Sequence, residues 1–236
     1  MRIKLLAGLT GTVSAIVIFS GVVAAQTPYM SGAVGSDVSF PNCNERLSPL
    51  GSFGVVGVTD GLGYSTNPCI SSEASNYTSP SLYANSGWDS SSSHINSTYP
   101  KMCAQGDENC LAYNYGYNAG IYAYDAAATA GVSSPNWWID VETGNTWSTN
   151  TTQNQNSLQG EYDALMASGA VNVGAYSTTA QWDSITGSWQ NDWPGWGATT
   201  VRTAKQAATY CTGHQFTGGP TWLIQFSGNI DQDYAC

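Results

Sequence analysis

The sequence predicts an α/β domain with parallel strands, closed as a barrel or left as an open sheet, on three observations. Short β-rich segments alternate with longer helical ones, a pattern that needs crossover connections and so implies parallel pairing. The 236 residues are 42% hydrophobic and 9% charged, which suits one barrel-sized domain. Acidic residues close several of the expected strands, where the functional rim of a parallel barrel lies.

Taken in chain order, Met1 to Ala25 reads as a secretory signal peptide. Arg2 and Lys4 precede the apolar run Leu5 to Val23, and Val23-Ala24-Ala25 offers small residues for cleavage. An uncleaved N-terminal anchor is the competing reading of that run. The remaining domain, residues 26–236, is expected to open with a strand over Gly32 to Ser39, then Phe53 to Asp60 and a weaker Pro80 to Asn85. Asp89 to Tyr99 is polar and reads as an exposed loop. An Ala- and Tyr-rich helix over Leu111 to Gly131 leads into a strand over Trp137 to Glu142, and a helix over Gln153 to Ser168 leads into Val171 to Ser177. Helices over Thr179 to Ile185 and Val201 to Tyr210 precede a last strand, Pro220 to Phe226. No internal repeat or low-complexity linker divides the chain, so a single domain is expected.

Six cysteines in an exported chain favour disulfides. Cys103 with Cys110 would close a local loop and Cys211 with Cys236 would fasten the C-terminus, leaving Cys43 and Cys69, although spacing alone leaves roughly 15 connectivities open. Without Arg2 and Lys4, four basic residues face 16 acidic ones. That balance argues against nucleic acid and against electrostatic capture by anionic surfaces, because both need clustered Lys and Arg. A monomer that leaves the membrane after signal cleavage is expected. No cofactor or metal is expected either: Cys-x-x-Cys pairs are missing, and His94 and His214 lack neighbours at ligand spacing. Neither a Gly-x-Ser-x-Gly elbow nor a phosphate-cradling glycine loop occurs.

The strand ending Trp138-Ile139-Asp140-Val141-Glu142 carries the clearest chemistry. Successive side chains of a strand point to opposite faces, so Asp140 and Glu142 share one face. Mutual repulsion and desolvation by nearby tryptophans keep one carboxyl protonated while the other ionises, which supplies an acid and an anion for glycoside cleavage. Capping of the next helix is the structural alternative. Asp37 and Asp60 close two other strands and Asp231 follows the last. Acids from four elements thus aim at one rim, and buried carboxylates without a role are costly. Aromatics make up 12% of the chain. Trp138, Trp147, Tyr176, Trp182 and Trp222 lie near strand ends, where flat rings either stack on sugars or pack in the core. Trp147 and Tyr176 are the preferred sugar platforms.

These residues carry a resemblance. Gly35-Ser36-Asp37-Val38-Ser39 matches the first-strand Gly-x-Asp-Val-Ser of the glycoside hydrolase family 25 muramidases, and Trp138 to Glu142 matches their hydrophobic-Asp-x-Glu strand. Val173-Gly174-Ala175-Tyr176-Ser177 is similar to their Val-Gly-hydrophobic-Tyr-Ser, and Gln225-Phe226 with Ile230-Asp231-Gln232-Asp233 to their closing Gln-Tyr and Val-Asp-x-Asn. The resemblance implies an irregular (β/α)-barrel of TIM-like type and lysozyme-like cleavage of peptidoglycan. By the same resemblance Glu142 is the general acid, Asp140 stabilises positive charge or orients the N-acetyl group, and Asp37 and Asp231 complete the acidic floor. Asp60, Trp147, Tyr176, Trp138 and Trp222 are then expected to contact substrate. Two departures stand out: Thr59-Asp60-Gly61 in place of Thr-Glu-Gly, and Tyr83-Ala84-Asn85 in place of a Tyr-His-Phe-like ending. Competing readings are a catalytically silent glycan-binding barrel, a glycosidase for another envelope polysaccharide, and an envelope-associated structural protein.

Overall fold

The structure, a computed structural model, describes residues 26–45, 47 and 50–236. The expected signal segment lies outside the described residues; among these, no helix is long and apolar enough to cross a membrane.

Eight strands close into a barrel in sequence order: β1 (Val34–Val38), β2 (Gly54–Gly57), β3 (Ser81–Asn85), β4 (Asn136–Asp140), β5 (Asn172–Ser177), β6 (Gly195–Ala198), β7 (Thr221–Phe226) and β8 (Gln232–Ala235). β1 to β7 pair in parallel, and β8 runs antiparallel between β7 and β1. The fold is therefore an irregular TIM-like α/β barrel in one domain. β6 and β8 have no counterpart among the expected strands, and the helix expected over Val201 to Tyr210 shrinks to α5 (Ala204–Ala207) and a 3₁₀ turn, Ala208–Tyr210. The other helices are α1 (Ile70–Ala74), α2 (Glu108–Thr129), α3 (Thr151–Ser168) and α4 (Thr179–Thr186).

The pleat sorts the side chains into two cores. Trp137 and Ile139 of β4, with Val141 just after it, face outward to join Leu82, Val56, Val173 and Leu158 beneath the helices. Trp138 faces inward and packs with Val55, Trp196 and Trp222 inside the barrel. Tyr29 covers the end where the strands begin: its hydroxyl lies 2.6 Å from the Ser81 hydroxyl and accepts a 3.0 Å hydrogen bond from the Trp138 indole. Among the described residues, the cleft with the acidic lining opens at the carboxyl ends of the strands.

Three disulfides, Cys43–Cys69, Cys103–Cys110 and Cys211–Cys236, fasten the loops. Helices α2 and α3 meet at backbone distance. A Cβ on Gly116 would stand 1.8 Å from the Ser157 carbonyl oxygen, and one on Gly160 would stand 2.0 Å from that of Tyr113. Backbone on both sides leaves no flexible neighbour to yield. Gly160→Ala is therefore expected to destabilise the fold by about 1–3 kcal/mol, a lowered midpoint in urea denaturation being the measurement.

Candidate active site

The open mouth holds a cleft of about 310 Å³ whose walls include Asp37, Tyr83, Asp140, Glu142, Tyr176, Trp196, Gln225 and Asp231. Asp140 and Glu142 point inward with Trp138 because they are two and four residues further along the same strand face. Trp138 therefore lies one pleat deeper and is core, not cleft wall.

Asp140 is 4% exposed. Its Oδ2 accepts a short hydrogen bond from the Asn85 side-chain amide, while its Oδ1 is buried without a partner. Asn85 is itself fixed, since the Thr59 hydroxyl donates to its Oδ1 at 2.6 Å and its backbone amide donates to Thr59 Oγ1 at 2.9 Å. Burial, then the neighbouring charges of Glu142 and Asp37, hold the Asp140 carboxyl well above the usual carboxylate range. Glu142 is half-buried at the mouth, where Gln181 Nε2 donates to its Oε1 at 3.4 Å. Gln181 is oriented by Thr143, whose backbone amide and hydroxyl donate to Gln181 Oε1 at 2.6 and 2.8 Å.

Across the cleft, Gln225 Nε2 donates to Asp37 Oδ2 at 3.0 Å, and the Tyr176 hydroxyl donates to Gln225 Oε1 at 2.8 Å. Burial pushes the Asp37 carboxyl up to about 7, with the Asp231 charge adding to the rise. Asp231 sits exposed on the rim and is raised by partial desolvation. Asp233, fully buried, faces Asp37 from β8 and accepts a 2.7 Å hydrogen bond from the Trp196 indole. Burial first and the Asp37 charge second hold Asp233 well above the usual carboxylate range, and its Oδ2 is buried without a partner.

The structure thus gathers Asp37, Asp140, Glu142, Asp231 and Tyr176 in one cleft, and leaves four expected contacts outside it. Asp60 is exposed on the far side of the β2 end, its backbone amide held by Ser65 Oγ at 3.0 Å; the inward position belongs to Thr59. Trp138 and Trp222 meet edge to face at 6.2 Å in the barrel core. Trp147 is not a cleft wall; its indole donates to the Glu142 carbonyl at 2.8 Å and braces the turn after the acid. Trp182 is also core. Tyr83, Asn85, Trp196 and Asp233 are not among the expected site residues. Counting by twos along β3 places Ser81, Tyr83 and Asn85 on one inward face, a signal the sequence does hold.

A family model described as Lysozyme-like protein 1 matches residues 107–217, which carry Asp140, Glu142 and Tyr176 but not Asp37 or Asp231. A protein named Probable GH family 25 lysozyme 5, from Dictyostelium discoideum, is 38% identical over 64 residues, 26% of this chain. That match spans 30% of the relative's length. The bacterial lysozyme of Streptomyces coelicolor shares the fold with a TM-score of 0.57 at 18% identity over 88% of this chain and 93% of its own. A family GH25 lysozyme from Aspergillus fumigatus does so with a TM-score of 0.57 at 12% identity, over 86% and 93%. The chain is thus similar to a lysozyme-like family model over residues 107–217 and to a glycoside hydrolase family 25 lysozyme over 64 residues, and it shares the barrel fold of solved lysozymes around its whole circumference.

Proposed function

We propose that the protein is a secreted glycosidase that cleaves peptidoglycan, or a closely related amino-sugar polysaccharide, by carboxylate catalysis. The observation that carries this reading is the placement of Asp140 and Glu142 on one face at the mouth of the barrel, in one cleft with Asp37 and Asp231. Three disulfides and the relatives' lysozyme character support an extracellular setting.

The chemistry follows from the two environments. Burial, then the neighbouring Glu142 and Asp37 charges, make ionisation of Asp140 unfavourable. Glu142 stands at the solvent side, where a glycosidic oxygen can reach it, and is the general acid toward the leaving group. In its ionised form Asp140 faces, from beneath the sugar ring, the positive charge that develops at the anomeric carbon or on the N-acetyl group. Asp37, hydrogen-bonded by Gln225, and Tyr176 hold the opposite wall. Tyr176, half-buried and backed by the core Trp196 at 4.4 Å between ring centroids, offers apolar surface for a sugar face.

Reducing-end release from purified peptidoglycan and a panel of other polysaccharides tests the reading. Release is expected from peptidoglycan, with muramic acid at the new ends and a rate that peaks on the acid side of neutrality, where Asp37, pushed up to about 7, keeps its proton on the opposite wall. Binding of glycan without release from any member of the panel overturns it in favour of a silent lectin-like barrel.

A further inference from the structure

A second cavity of about 210 Å³ opens on the same rim as the catalytic cleft. It is built by the loops that follow β2, β3 and β4, and its walls include Tyr64, Ser86, Asp89, His94, Tyr115 and Asn145. The His94 ring lies flat on Tyr64, 4.0 Å between centroids and 6° from parallel. Tyr64 is itself anchored: it adopts a left-handed backbone at φ 59° and its hydroxyl donates to the Tyr115 carbonyl at 2.6 Å. The two loops are laced together, Trp88 N donating to the Thr146 carbonyl at 2.8 Å. His94 is exposed, so the ring face turned away from Tyr64 is open to solvent.

Behind this cavity lies a carboxyl that the catalytic scheme does not use. Glu161 of α3 is 1% exposed. Its Oε2 accepts a hydrogen bond from Ser86 Oγ, in the cavity wall, and its Oε1 is buried without a partner. Its charge is felt by Tyr64 and Tyr115 on one side and by Asp140 on the other. Cavity and cleft are one ladder rung apart, since Ser86 N donates to the Asp140 carbonyl at 3.0 Å.

We infer that this cavity is a subsite for a further saccharide unit of the chain held in the cleft, with the His94 and Tyr64 stack as its platform and Asp89, Ser92 and Asn145 as its hydrogen-bonding groups. The inference rests on the proposed function. The volume is below that of a whole drug-sized pocket and suits a single ring-sized unit. Aromatic face, hydroxyl, amide and carboxylate acceptors match the alternating apolar and hydroxylated surfaces of a pyranose. A phosphate finds no Lys or Arg in the wall.

The chain has two histidines, so proton NMR reads the cavity directly, with His214 as internal reference. The probe is a hexamer of β-1,4-linked N-acetylglucosamine, added to the full protein carrying Glu142→Gln to suppress turnover, while tryptophan fluorescence follows the cleft through Trp196. His94 ring signals are expected to shift saturably with the hexamer and to stay in place with the dimer, His214 being unmoved by either. In the otherwise unaltered protein, His94→Ala is expected to raise KM on long chains about three- to tenfold and to leave short-chain kinetics unchanged. A cleft that fills while His94 stays silent overturns the subsite alone. A protein in which neither responds to any saccharide loses both the subsite and the glycosidase reading, and a His94 response to a lysine-containing peptide alone reassigns the cavity to a cationic ligand.

Discussion

Glu142→Gln and Asp140→Asn are both expected to abolish most hydrolysis, yet to move stability differently. Loss of the general acid should lower kcat by about 10²–10⁴-fold. Loss of the anion beneath the sugar should cost about 10²–10³-fold, the scale found when one preorganised charge-stabilising group is removed. Glu142 is half-buried at the mouth and makes one long hydrogen bond, so its amide variant should melt with the parent. Asp140 is another matter: burial and two acidic neighbours work against its ionised form, and one of its oxygens has no partner. An amide at that position removes the charge and keeps an acceptor for the Asn85 side chain. Its melting temperature at pH 7 should therefore rise while activity falls, the trade expected where a site is held together against its own electrostatics. Thermal melts beside initial rates decide it. An Asp140→Asn protein that melts lower than the parent would show that the carboxylate stabilises the fold.

The sequence showed this fold where hydrophobic runs obeyed a strand period and hid it where the barrel itself imposed extended backbone. Trp137 to Glu142 announces β4 because three apolar residues turn outward while one tryptophan and two acids turn in. β6 is Gly195-Trp196-Gly197-Ala198, with two glycines and no β-branched residue; its extension comes from pairing on both sides with β5 and β7. β8 is Gln232-Asp233-Tyr234-Ala235, polar because one face meets the carboxyl-lined interior. Missing β8 meant missing Asp233, since only an antiparallel strand in register with Gly35 and Gln225 turns that carboxyl onto Asp37. Asp60 shows how one residue of register decides a site. Val56 and Val58 face the helices, so Gly57 and Thr59 face inward and Asp60 leaves the barrel. The tryptophans misled for a related reason: Trp138 shares the catalytic face, but two residues along a strand is one layer deeper, and that layer is core.

Stability should fall as pH rises from about 5 to 8, and Glu161→Gln should flatten part of that fall. Burial pushes the Glu161 carboxyl from 4.5 up to about 8 in the folded chain. Below 4.5 the group is protonated in both the folded and unfolded chain, so folding loses nothing. Between 4.5 and 8 the unfolded chain releases the proton freely while the folded chain keeps it, and rising pH stabilises the unfolded state. The slope for one such group approaches about 1.4 kcal/mol per pH unit. Asp37, raised to about 7, and the buried Asp140 and Asp233 act in the same direction, so the whole mouth of the barrel favours acid conditions. Glutamine reproduces the protonated form of Glu161: its oxygen still accepts from Ser86 Oγ, and its amide occupies the place of the unpartnered Oε1. Melting temperatures of parent and variant should therefore coincide near pH 4 and separate by pH 8, with the variant higher. Parallel curves across that range would mean that Glu161 reaches water in the folded protein, and the buried carboxyl behind the second cavity would then be part of an open polar channel between α3 and the rim.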